Sequence, residues 1–96
     1  MNTAKVKSFI GFAIKAGKAL FGVDLILTSR HAPRIVLIDN SLSDNSKNKL
    51  NGYLNKNSIR SYTVDMEALY SGKNCKAVGV MDKNLAQAIE LELKES

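Results

Sequence analysis

The sequence predicts an α/β protein built as a three-layer α/β/α sandwich. Apolar stripes of helical period alternate along the chain with short apolar runs such as "RIVLID" (34–39) and "KAVGVMD" (76–82). Within those runs consecutive positions are apolar, the pattern of strands covered on both faces. Helices that alternate with such strands must pack on both sides of one sheet. The length, 96 residues, has room for one domain with a real core, and residues 1–96 are read as one.

The elements follow in order. Val6, Phe9, Ile10, Ala13 and Ile14 form the buried stripe of a first helix, and Gly17 sits just past it, the position of a left-handed cap. "KALF" (18–21) is a short extended piece. Gly22 then opens a second helix through "VDLILTSR" (23–30), with Asp24 in its first turn and His31 at its C-terminal end, where the helix dipole is negative. "RIVLID" is a strand. From Ser43 or Asp44 a third helix buries Leu50, Tyr53 and Leu54 and turns Lys47, Asn48, Asn51 and Asn55 outward, weakened by Gly52. "RSYTV" (60–64) is a second full strand, "MEALYSG" (66–72) one or two helical turns ending at Gly72, and "KAVGVMD" the last strand. Asp82 caps a final helix, "KNLAQAIELELKE" (83–95).

Composition narrows the function. The formal net charge is +5, and residues 1–60 hold ten Lys/Arg against three Asp/Glu while residues 61–96 hold four against six. Positive charge gathered in one part of a small chain suits a polyanion, of which nucleic acid is the commonest, although a solvated basic surface has the same signature. The apolar run "FIGFAI" (9–14) is too short for a membrane span and lacks a cleavage site, so the expected location is the cytoplasm and no membrane is expected as a partner. One cysteine, Cys75, and one histidine, His31, exclude an internal disulfide and a Cys/His zinc set. Phe9, Phe12, Phe21, Tyr53, Tyr62 and Tyr70 are scattered and form no stacking platform, so any RNA contact falls to shape and phosphates.

Candidate chemistry is sparse. "GFAIKAGKA" (11–19) approaches a phosphate-gripping P-loop, but five residues separate its glycines where four are required, and Ala19 replaces the magnesium-binding hydroxyl. Asp39 and Asp82 each end a buried strand, where open α/β sheets place ligand chemistry, and could form an acid–base or metal pair. Their simpler roles are an Asx turn at Asp39 and a helix cap at Asp82. Cys75 lies near Lys73 and Lys76, which could lower a thiol pKa, but a lone small thiol is more often packing. No nucleophile is paired with a base, so the chain is read as a non-enzyme without cofactor or metal.

From about Phe9 to Leu91 the order of elements, with Ala16-Gly17-Lys18, Gly22, the stretch from Ser43 to Lys49, and Gly72-Lys73-Asn74 before the last strand, resembles the YlxQ-type bacterial members of the L-seven-Ae ribosomal protein superfamily, which includes kink-turn RNA binders. The resemblance implies an L-thirty-e-like sandwich with a mixed four-stranded sheet. It also implies binding of ribosomal or other structured RNA, with translation or ribosomal proteins as further partners and the chain itself a monomer. The RNA would meet the start of the second helix at Gly22, Val23 and Asp24, with Lys15 and Lys18 close by, and the loop of Lys73, Asn74 and Cys75 as a second wall. Lys47 and Lys49 would reach flanking phosphates. In the superfamily's Gly-x-Asn-Glu-x-x-Lys segment the readers are replaced here by Asp24, Leu25 and Thr28, which implies weak or altered kink-turn selectivity. The alternative is a protein-interaction module on the same fold, using the apolar Leu25.

Overall fold

A computed structural model of the chain describes residues 3–69 and 76–94. In chain order its elements are α1 (Thr3–Lys15), β1 (Ala19–Phe21), α2 (Val23–Thr28), β2 (Ile35–Asp39), α3 (Asp44–Lys56), β3 (Arg60–Val64), α4 (Met66–Leu69), β4 (Ala77–Val80) and α5 (Lys83–Lys94). The four strands form one sheet in the order β1-β4-β2-β3. β4 runs antiparallel to both its neighbours, pairing Ala19 with Val80 and Ile35 with Val80, while β2 and β3 run parallel with Ile35 opposite Arg60. The sheet is therefore mixed, and helices cover both faces.

The pleat of the strands divides the core. Ile35 and Leu37 of β2 with Val78 and Val80 of β4 face α1, α4 and α5, where Val6, Ile10, Ala13, Met66, Leu69 and Ile89 are buried. Val36, Ile38 and Ala77 point the other way, onto Ile26 of α2 and Leu50 and Leu54 of α3. Side chains alternate across a strand, so an apolar run four or five residues long serves both cores.

The helix ends are built from their own sequence. Past α1, Gly17 takes φ +68°, and the amides of Gly17 and Lys18 donate to the carbonyls of Ile14 (3.0 Å) and Ala13 (2.8 Å), a Schellman cap. α3 ends in the same pattern: Ser58 donates to Asn55 (3.3 Å) and Ile59 to Leu54 (2.9 Å). There the left-handed residue is Ser58, at φ +55°, a conformation that costs a side-chain-bearing residue about 1–2 kcal/mol. Ser43 caps α3 through Ser46 N–H, and Asp82 caps α5 by accepting from Leu85 N–H at 2.9 Å.

Two expectations need correction. α2 stops at Thr28, not Arg30. The Thr28 hydroxyl donates back to the Asp24 carbonyl (2.8 Å), and that of Ser29 to His31 (2.8 Å), stabilising a turn in place of another helical round. His31 therefore lies in the loop before β2 and not at a helix C-terminus. The end expected for α4, at Tyr70 to Gly72, lies outside the described residues.

Candidate nucleic-acid interface

Each strand end belongs to one of two ends of the sheet. The Gly22 end holds the close of β1, β2 and β3 and the beginning of β4; the Arg34 end holds the opposite termini.

At the Gly22 end, Gly22 donates to the Ala77 carbonyl (2.8 Å) and accepts from Ile26 N–H (3.2 Å), closing the β1–β4 ladder and opening α2. Its φ of 95° and ψ of 151° belong to a region almost confined to glycine, and nothing lies within 4 Å of where a Cβ would project. Backbone can be approached closely here. Val23 is half-buried, Asp24 is exposed and makes no cap, and Leu25 is 55% exposed. An uncapped, exposed carboxylate at this point repels phosphate.

Asp39, only 6% exposed, organises the neighbouring turn. Its Oδ2 accepts from the Ser41 amide (3.0 Å) and the Ser41 hydroxyl, its Oδ1 from Met66 N–H at the start of α4 (2.8 Å). Lys76 Nζ donates to Ser41 Oγ (2.6 Å) and lies 3.7 Å from Asp39 Oδ2. The Ser41 hydroxyl first, then the Met66 amide, hold the Asp39 carboxyl down to about 2. Its role is therefore to tie β2 to α4. Asp39 and Asp82 stand at opposite ends of an antiparallel strand pair, roughly 15–20 Å apart along the strands, so they cannot act as an acid–base or metal pair. Among the described residues no group of three or more His, Cys, Asp or Glu could hold a metal.

The expected cluster of lysines around Gly22 is not assembled. The Lys18 carbonyl accepts from Met81 N–H (2.7 Å), at the far end of β4 from the Gly22–Ala77 bond, which puts Lys18 about 13 Å from Gly22 along the strand. Lys15, in the last turn of α1, belongs to that far end as well. Lys47 and Lys49 do start α3 at the Gly22 end, but two positions apart they project from different sides: Lys47 is half-buried and Lys49 exposed. Lys73, Asn74 and Cys75 lie outside the described residues.

Sequence reading missed the Arg34 end as a unit. Arg34 N–H donates to the Val80 carbonyl (2.8 Å), setting Arg34 beside Lys18 across β4. Lys83 begins α5 there and Lys56 ends α3. The ion pairs among the described residues are Lys5–Glu92, Arg60–Glu90 and Lys76–Asp39. Lys15, Lys18, Arg34, Lys56 and Lys83 thus have no carboxylate partner among the described residues. Asp24, Asp39, Asp44, Asp65 and Glu67 all fall at the Gly22 end. On the flank, Tyr62 donates to Glu90 Oε2 (2.7 Å) and Arg60 to Oε1 (2.9 Å). Tyr62 first, then Arg60, hold the Glu90 carboxyl below its usual range, and burial pushes the Tyr62 phenol up.

Two grooves open at the Arg34 end. One, of about 530 Å³, is lined by Lys18, His31, Arg34, Asn57 and Ser58 over a floor of Pro33, Ile59 and Met81. The other, of about 260 Å³, is lined by Arg34, Ser58, Arg60, Lys83, Gln87 and Glu90.

No family model and no curated protein matches the chain. Among solved structures, a protein with unknown function from Bacillus halodurans C is similar at a TM-score of 0.76 and 24% identity, over 91% of this chain and 98% of that one. At that identity the likeness shows the fold alone. Among the described residues no helix is long and apolar enough to cross a membrane.

Proposed function

We propose that this chain is a non-enzymatic, cytoplasmic RNA-binding protein of the ribosome or translation apparatus, holding structured RNA through its sugar–phosphate backbone. The observation that carries the reading is the gathering of Lys15, Lys18, Arg34, Lys56 and Lys83, without carboxylate partners among the described residues, at the end of the sheet whose described loops carry one acid, Asp82, while Asp24, Asp39, Asp44, Asp65 and Glu67 lie at the other. A surface of that kind attracts a polyanion and rejects none of its sequence variants. With four or five of these cations on duplex phosphates, log affinity falls against log salt with a slope of about −3.5 to −4.5, at roughly 0.9 per phosphate. A flat line in a titration of a kink-turn RNA at several salt concentrations rejects the reading.

Whether the Gly22 turn takes part is a separate matter. Leu25 and Thr28 are both exposed, so Leu25→Glu with Thr28→Lys restores two of the superfamily's three readers without touching the core. If RNA meets this turn, the double substitution raises kink-turn affinity relative to a plain duplex; equal affinities for the two RNAs remove the turn from the interface. A protein-interaction role is the second reading, favoured by the exposure of Leu25. Co-purification of a protein partner after nuclease treatment, lost in Leu25→Glu, supports it.

A further inference from the structure

The paired grooves at the Arg34 end contain more than a duplex backbone needs. Phosphates on a duplex exterior are met by cations, hydroxyls and amides, none of which needs an apolar floor, and a paired base enters a groove only after the cost of unstacking it is met. Here the larger groove has cations on its rim, Lys18 and Arg34, but Pro33, Ile59 and Met81 beneath them, with the imidazole of His31 at the side. That sets a small apolar surface, from half-buried Ile59 and Met81 over the buried Pro33, among polar and positively charged groups. Its floor is fixed: Pro33 is buried against β4, and an added Cβ at Gly79 would come within 3.0 Å of Pro33 Cβ, so the loop packs as it does because residue 79 has no side chain.

Arg34 and Ser58 border both grooves, which therefore lie side by side, and a path from Lys18 past Arg34 to Lys83 and Gln87 crosses the two. Ser58 is also the described non-glycine residue with positive φ. That conformation ends α3 and sets Ser58 where the two grooves meet. Asn57 spends its amide nitrogen on the Tyr53 carbonyl (2.9 Å), which leaves its side-chain oxygen as an acceptor at the groove edge.

We infer that this path binds a single-stranded stretch of RNA, seating an unpaired base on the Pro33–Ile59–Met81 floor against His31 and its neighbouring phosphates on Lys18, Arg34 and Lys83. The inference rests on the RNA-binding reading and names the part of the RNA that this end receives. An unpaired base supplies the flat apolar face that fits such a floor, and stacking of this kind tolerates any base. The strand need not be long, since a loop or overhang of a folded RNA is enough.

The test is a titration of the isotope-labelled chain, followed by amide resonances, with a short oligouridine, a blunt RNA duplex of the same length and polyglutamate. The expected result is that oligouridine shifts the amides of Lys18, His31, Ser58 and Lys83 and binds more tightly than the duplex, while polyglutamate competes poorly. His31→Ala then lowers oligouridine affinity about tenfold, and Arg34→Gln flattens its salt slope by about 0.7. Binding of the duplex as tight as that of oligouridine, shifts confined to the residues around Gly22, effective competition by polyglutamate, or an unchanged affinity in His31→Ala each overturns the groove assignment and leaves RNA binding standing. Failure of both RNAs to bind overturns the two together.

Discussion

The two ends of this sheet are made from the same strands yet spend their charged residues differently. At the Gly22 end one acid is put to structural use: Asp39 spans from β2 to α4, and Lys76 is drawn to it through Ser41. At the Arg34 end Asp82 is absorbed by its own helix as a cap, and the cations around it are left without carboxylates among the described residues. One end is a joint and the other a free electrostatic surface. A glycine at a helix start makes no cationic surface unless the charges beside it are uncommitted.

The strongest way to break the comparison is to reverse charge at the Arg34 end. Lys18→Glu with Arg34→Glu is expected to lower RNA affinity about a hundredfold, by removing two attractions and adding two repulsions. Lys47→Gln with Lys49→Gln at the Gly22 end is expected to change it only a few-fold, and filter binding of one RNA to both variants compares them directly. Equal losses would erase the distinction between the ends.

Next in size is Asp39→Ala, which strands the buried Met66 N–H and is expected to cost about 2–3 kcal/mol in chemical denaturation. Acid sharpens this. Because the folded Asp39 carboxyl titrates near 2, below its ordinary value, its stabilisation is complete above about pH 4 and is lost as the pH falls toward about 2. The stability gap between wild type and Asp39→Asn should therefore close over that window and stay constant above it. At the other end Asp82→Ala removes only a cap and is expected to cost about 1 kcal/mol.

Smallest, and opposite in sign, is Ser58→Gly. Relief of the left-handed strain is expected to raise stability by about 1 kcal/mol, as measured by the urea midpoint. If Ser58 serves the groove, the same variant binds oligouridine less well. A gain in stability with unchanged binding would mean that Ser58 is tolerated there and nothing more.

The fold was legible in the sequence because each element announces its own surroundings. "RIVLID" is apolar at every position but its ends and is buried over Ile35–Asp39, and Gly17 and Asp82 end and begin helices where their chemistry requires. Direction was not legible. A strand covered on both faces has the same composition whether its neighbour is parallel or antiparallel, so nothing in "KAVGVMD" told that Asp82 would finish far from Asp39. For the same reason Lys18, four residues from Gly22, looked close to it, when an extended strand carries the two apart. The Arg34 end escaped notice because its parts come from four separate junctions, α1–β1, α2–β2, α3–β3 and β4–α5, and the conformation of Ser58 has no signature in a serine.

The order β1-β4-β2-β3 has one more effect, on how the molecule comes into being. The last strand to be synthesised is the one that lies between β1 and β2, so until residue 80 has emerged β1 has no hydrogen-bonding partner in the sheet. Chains generally acquire structure from the N-terminus as they are made, and pairings distant in sequence are slow to close. Here β2 and β3 need no β4 to pair, but β1 joins them only when β4 enters between, so the sheet is completed late.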